Sequence, residues 1–133
     1  MSAERIAYLD SSALVKLVSR ETESDAVARH LGARGRVASS AVARVEVVRA
    51  ARRHDEMTVE RARRVLADLM LIAVSDPLLE RAAVLADTTV RSLDAIHLAA
   101  AESLGDDLRE IVTYDRRMAE AARGLGMAVV APA

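Results

Sequence analysis

"IAYLDSSALVKL", residues 6–17, decides how the chain is read. Four residues of strand character run straight into Asp10, two serines follow, and apolar residues then recur at helical spacing. This reads as a short strand covered on both faces that turns at once into a helix. Strand–turn–helix is the unit from which α/β domains with parallel sheets are built. In such sheets the carboxyl ends of the strands share one edge, and sites form outside it. Asp10 stands at that edge. One Asp there is equally well explained as an N-cap, so its meaning depends on whether other acids occupy comparable places.

Working outward, short Val- or Ile-rich runs recur at residues 36–39, 71–75, 110–114 and 127–130. Helical patterns fill the gaps at 11–19, 23–33, 40–54, 58–70, 76–87, 94–104 and 115–125. Ser39 or Ser40, Thr58, Asp76 (ahead of Pro77) and Asp94 are the expected N-caps, with Ser92 as an alternative to Asp94. Gly35, Gly105 and Gly126 are the expected stops. Strands alternating with helices predict an α/β fold with a mainly parallel central sheet of about five strands.

The bulk composition narrows the function classes. A chain of 133 residues suits one domain, taken as 1–133. No run of 18 apolar residues occurs, so no membrane partner is expected. The N-terminal run is too short for a signal peptide. There are no cysteines, which excludes disulfides and thiolate metal sites, and a cytoplasmic location is the expectation. The net charge of −1 does not advertise nucleic-acid binding. Lys16 is the one Lys among many Arg, which fits a GC-rich genome as well as a preference for bidentate phosphate contact. Tyr8 and Tyr114 are the only aromatics, so base stacking is not the main binding mode.

Four acids stand out. Asp10 follows the first strand. Glu46 sits on the shoulder of an apolar helical stripe formed by Ala43, Val47, Ala50 and Ala51, and no other acid occurs between Asp25 and Asp55. Asp94 opens "LDAIHLAAAESLG". Asp115 follows "EIVTY", two residues after Thr113, so the two share a side if the strand continues. Each alone is explained as a cap or a solvated helix acid. Together they can converge at one end of a parallel sheet. Clustered carboxylates raise one another's pKa unless something neutralises them. Hard oxygen ligands of this kind select Mg²⁺ or Mn²⁺, one or two ions. Their natural chemistry is to activate water and to stabilise charge developing on a phosphodiester.

"YLDSSALVKL" (8–17), "SSAVARVEVVRA" (39–50), "RSLDAIHLAAA" (91–101) and "IVTYDRRM" (111–118) resemble, in order and spacing, the four signatures of PIN-domain ribonucleases. They are similar in particular to VapC-type toxins of bacterial toxin–antitoxin pairs. The resemblance spans nearly the whole chain. It implies a three-layer α/β/α fold, Mg²⁺ or Mn²⁺ dependence and endonucleolytic cleavage of RNA. It also implies a homodimer and neutralisation by a cognate antitoxin. Carried onto this sequence, it makes Asp10, Glu46, Asp94 and Asp115 the catalytic acids. Asp10, Asp94 and Asp115 would hold metal, and Glu46 would complete the site or orient the attacking water. Ser12 and Thr113 match the supporting hydroxyl positions.

Other residues carry weaker expectations. His97 reads as a buried, hydrogen-bonded histidine rather than a ligand; His30 and His54 read as surface residues. The basic clusters at 49–54, 60–64 and 115–117 read as solvated helix faces. Arg91, Arg116 and Arg117 are the candidates for RNA phosphate contact. A receiver-type signalling module would need a Lys after a late strand, and Lys16 is early. A haloacid-dehalogenase-like phosphatase would need a second Asp where Ser12 stands. A catalytically inactive PIN-like scaffold that binds a protein partner is the alternative; loss of an acid would favour it, and none is lost.

Overall fold

The computed structural model describes residues 5–32 and 36–133. The chain enters through β1 (Ile6–Leu9), which is buried along its whole length. α1 (Ser11–Val18) and α2 (Ser24–Leu31) follow, then β2 (Arg36–Ser40), α3 (Ala43–Ala51) and α4 (Glu56–Ala67). Next come β3 (Met70–Ile72), α5 (Asp76–Ala83) and α6 (Ser92–Ser103), and a 3₁₀ turn at Gly105–Asp107 leads to β4 (Leu108–Val112). α7 (Arg116–Gly124) and β5 (Val129–Val130) complete the order.

The five strands form one sheet in the order β3-β2-β1-β4-β5, and every pairing is parallel. The sequence predicts a mainly parallel sheet of about five strands; the sheet is wholly parallel. β1 lies at its centre. The chain builds outward to β3, then crosses back to place β4 on the other side of β1. The order therefore reverses beside β1, which is where an open α/β sheet leaves a crevice at its carboxyl edge.

Alternation along β1 sorts the core into two layers. Ile6 and Tyr8 point to one face, packed with residues of α5, α6 and α7 such as Leu78, Leu98 and Met118. Ala7 and Leu9 point to the other, packed with α1 to α4 through Leu14, Val27, Val47 and Leu66. Alanines recur where helices approach: Ala43, Ala62, Ala100 and Ala122 are fully buried. With so few aromatics, the core is closed mostly by small and branched aliphatic side chains.

Several element ends differ from those expected. α3 starts at Ala43, because Ser39 and Ser40 are the last residues of β2 and no side chain caps the helix. The Ser40 hydroxyl instead accepts from the Val42 amide in the intervening turn. Thr58 lies inside α4, and Asp55 is the cap that accepts from the Thr58 amide at 2.8 Å. Ser75, not Asp76, caps α5, with Pro77 in the first turn as expected. Asp94 does not cap α6, nor does Ser92: Arg91 occupies the cap position without a side-chain bond. α2 stops at Gly32 with φ of 48° and ψ of −142°, a conformation that suits only glycine. The expected continuation through Ala33 to a stop at Gly35 lies outside the described residues. The third strand ends at Ile72, where its ladder with Ser40 ends. His54 is exposed, but His30 is half-buried and bonded to Glu110 of β4 at 2.5 Å, so it is not a free surface residue.

Leu9 has no solvent exposure and is the last side chain of β1 on its face. Leu9→Ala should destabilise the protein by about 2–5 kcal/mol, as large-to-small core changes do. Urea unfolding would read this as a lower midpoint at unchanged slope. A loss under about 1 kcal/mol would contradict the placement of Leu9 in the core.

Candidate active site

Asp10 is the residue around which the carboxyl edge of the sheet is arranged. Its carboxylate caps α1 by accepting from the Ala13 amide at 3.0 Å. Oδ1 also accepts from the Ser12 hydroxyl at 2.6 Å, and Oδ2 accepts from the Thr113 hydroxyl at 2.5 Å. The residue is 3% exposed. Burial pushes its pKa up, while the bonds from Ser12, Thr113 and Ala13 pull it down. The cap explanation and the site explanation both hold for this residue.

The same hydroxyls tie the two central strand ends together. Ser12 Oγ accepts from the Tyr114 amide at 3.0 Å, and Thr113 Oγ1 accepts from the Asp115 amide at 3.1 Å. Asp115 in turn caps α7, accepting from the amides of Arg117 and Met118. The strand ends at Val112, so Thr113 and Asp115 do not project as strand residues. They are set by this hydroxyl relay, with Thr113 buried and Asp115 half-buried.

Glu46 and Asp94 reach the same edge from α3 and α6. Glu46 Oε1 is 2.7 Å from His97 Nε2, and Oε2 accepts from the Ser11 hydroxyl at 3.4 Å. His97 Nδ1 is 2.7 Å from the Tyr8 hydroxyl, so Tyr8, His97 and Glu46 form a continuous chain. His97 is fully buried and hydrogen-bonded at both ring nitrogens, as the sequence reading expects. Its partners were not legible. Tyr8 sits two residues before Asp10 and faces the α6 layer, and that parity is the one sequence signal that pointed to it.

Asp94 is half-buried in the first turn of α6. Its pKa is raised, first by burial and then by the charges of Asp115 and Asp10, with a contribution from Glu46. The structure thus brings all four acids into one electrostatic neighbourhood. Among the described residues, no Lys or Arg makes an ion pair with any of them. Nor do three carboxylate or imidazole groups among those residues already stand at metal-holding distances. The donor set is nevertheless all hard oxygen and in charge excess, which suits Mg²⁺ or Mn²⁺ completed by water and substrate oxygens. Asp10, Asp94 and Asp115 are the residues that could hold such an ion.

The candidate phosphate contacts are unequal. Arg91, Arg116 and Arg117 are all exposed. Arg116 lines an open cleft of about 410 Å³ with Thr113, Asp115 and Arg123; Asp115 is the one acid of the four that lines it. Arg117 and Arg91 do not line it. Clefts of about 540 and 560 Å³ are lined by residues of α1 to α4 and of β2 and β3, and contain none of the four acids. No helix among the described residues is long and apolar enough to cross a membrane.

Comparison with known proteins agrees with this architecture. A family model described as "PIN domain" matches residues 7–124. Ribonuclease VapC46 of Mycobacterium tuberculosis is 52% identical over 125 residues, covering 94% of this chain and 96% of the relative. Ribonuclease VapC35 of the same organism is 43% identical over 129 residues, again covering 94% and 96%. Among solved structures, M. tuberculosis VapC20, described as a "Sarcin-Ricin loop cleaving toxin", superposes with a TM-score of 0.74 at 17% identity, covering 95% of this chain and 99% of that one. A chain of a toxin–antitoxin complex from Klebsiella pneumoniae gives 0.71 at 23% identity, covering 96% and 98%. At those identities the two structures speak for the fold, whereas the sequence matches speak for the family. With a PIN-domain match along most of its length and relatives of this kind, the chain belongs to the PIN-domain family, as a protein of the VapC type.

Proposed function

We propose that the protein is a metal-dependent endoribonuclease, the cytoplasmic toxin of a toxin–antitoxin pair, which hydrolyses RNA phosphodiesters with Mg²⁺ or Mn²⁺. The observation that carries this reading is the convergence of Asp10, Glu46, Asp94 and Asp115 at one sheet edge, with no Lys or Arg paired to any of them among the described residues. The relatives named ribonuclease support RNA as the substrate. The neighbour described as a toxin–antitoxin complex supports an antitoxin as protein partner. A homodimer is the expected assembly.

In this reading Asp10, Asp94 and Asp115 hold one or two ions, directly or through water. When bound, the metal lowers the pKa of water and stabilises charge on the phosphodiester oxygens. Asp10 contributes a carboxylate already fixed by three donors. Asp94 contributes one without a side-chain cap to satisfy, free to turn toward a ligand. Glu46, held by His97 and Ser11, orients the attacking water. Arg116 offers a guanidinium to the RNA backbone from the cleft beside Asp115, with Arg91 and Arg117 farther out.

Purified protein incubated with total RNA and Mg²⁺ or Mn²⁺ should give discrete fragments that EDTA and Asp94→Asn abolish. Because water attacks and no 2′-hydroxyl takes part, the ends should be 5′-phosphate and 3′-hydroxyl. Cleavage indifferent to EDTA, or ends with a 2′,3′-cyclic phosphate, would refute the mechanism. A folded wild type that neither cleaves RNA nor binds metal would favour the inactive scaffold.

Stability gives a second readout. The raised pKa of Asp94 means that the folded state holds its proton more tightly than the unfolded chain does. Its favourable contribution is complete below the unfolded carboxyl pKa and is lost as pH rises through the folded value. Near neutrality the ionised group therefore destabilises the metal-free fold. Asp94→Asn should raise the metal-free Tm by a few degrees at pH 7 and little at pH 3, and Mg²⁺ should raise the Tm of wild type more than that of the variant. Scanning calorimetry in EDTA and in Mg²⁺ checks both, and a variant less stable at pH 7 would contradict the charge argument.

Arg116→Ala should weaken RNA binding at every sequence and flatten the salt dependence, by roughly 0.7 in the logarithmic slope per lost phosphate contact on single strands. Filter binding between low and moderate salt measures this. An unchanged slope would remove Arg116 from the RNA contact surface.

A further inference from the structure

The Tyr8–His97–Glu46 chain has an assignable direction. Glu46 Oε1, as a carboxylate oxygen, accepts, so His97 Nε2 must donate across the 2.7 Å contact. In the neutral imidazole His97 Nδ1 then accepts, and the Tyr8 hydroxyl donates to it across 2.7 Å; a doubly protonated ring would reverse that contact. The Tyr8 phenol has no solvent exposure and is a donor at neutral pH. Ring packing fixes the rest: the Tyr8 and His97 rings meet edge to face with centroids 5.9 Å apart and planes at 75°.

This arrangement crosses the domain. Tyr8 belongs to the core layer beneath α6, whereas Glu46 rises from α3, which packs on the opposite face of the sheet. His97 bridges the two at the carboxyl edge. A long acidic side chain on the shoulder of a helix has several rotamers available, and it is held here by one donor on each oxygen, at 2.7 Å from His97 and a weaker 3.4 Å from Ser11. A carboxylate that must orient a water needs its own orienter, as metal-bound and general-base groups generally do.

We propose that His97 is a positioning residue for the reaction, locked in the Nε2–H tautomer by Tyr8 so that it fixes the Glu46 carboxylate toward the attacking water. The inference rests on the ribonuclease reading for its catalytic consequence, while the tautomer stands independently of it. His97 itself touches neither metal nor substrate, and Tyr8 acts one step further back.

The test combines spectroscopy with kinetics. Long-range ¹H–¹⁵N spectra of the imidazole in wild type should show the Nε2–H tautomer for His97, and Tyr8→Phe should relax it toward a mixture. Cleavage by His97→Ala should fall about 10–100-fold in kcat, the range typical of residues that orient a catalytic group, with KM little changed. His97→Gln, whose amide can still donate to Glu46, should recover most of that loss. In a Glu46→Ala background, His97→Ala should cost nothing further in kcat. Thermal melts of each variant separate positioning from folding, because a merely structural histidine would lower Tm without rescue by Gln and would remain additive with Glu46→Ala. An Nδ1–H tautomer, a failure of the Gln variant to rescue, or additivity would each overturn the proposal while leaving the nuclease reading intact. An inactive wild type showing the Nε2–H tautomer would instead overturn the nuclease reading, and with it the catalytic consequence.

Discussion

A carboxylate buried without a cation has to be held by dipoles, and Asp10 is held by three. Taking an ionised group out of water costs several kcal/mol unless donors replace the lost solvation. Here the donors are two hydroxyls and a helix-terminal amide. The hydroxyls do more than solvate. Ser12 and Thr113 each donate to Asp10 and accept a backbone amide from the segment after β4. The positions of Tyr114 and Asp115 are therefore consequences of where Asp10 sits. The two central strands share this one polar knot, and the edge of the sheet takes its shape from it.

Double use of residues runs through the site. Asp10 and Asp115 close helix ends and also present carboxylates to the same space. Glu46 and Asp94 lie in the first turns of α3 and α6, two helices that carry no side-chain cap. A carboxylate in a first turn is favoured by the helix dipole even without a cap bond, which offsets part of the repulsion among the acids. The remainder is unrelieved in the protein alone. Under the proposed reading, a cation entering the cluster would gain what the acids lose by standing together.

Much of this was legible in the sequence, and the misses have identifiable causes. Strand–helix alternation gave the parallel sheet because buried strands read as continuous apolar runs. Asp10 and Asp115 were legible as acids at strand ends, whereas Glu46 and Asp94 lie on helices and meet them only through the fold. Cap identities were not. At Asp55/Thr58 and Ser75/Asp76 two good capping residues stand close together, and the backbone decides which one turns out of the helix. Asp94 resembled a cap until α6 began two residues earlier. The ends of the third and fourth strands were misplaced because apolar character outlasts the hydrogen-bond ladder. Pairings such as Tyr8–His97, Lys16 with Glu21 and Glu23, and His30–Glu110 join side chains whose proximity only the tertiary fold creates.

The outermost strands are very short, with three residues in β3 and two in β5. A long exposed edge is a template on which another chain's strand can be laid down, and truncated edges remove that invitation. The centre of the sheet is well paired, yet its margins offer almost no backbone ladder to extend. Among the described residues, the surface open to association is then mainly that of side chains on helices and connecting turns. Side-chain surfaces can change residue by residue while the sheet beneath them stays the same, so partner choice can shift without a change of fold.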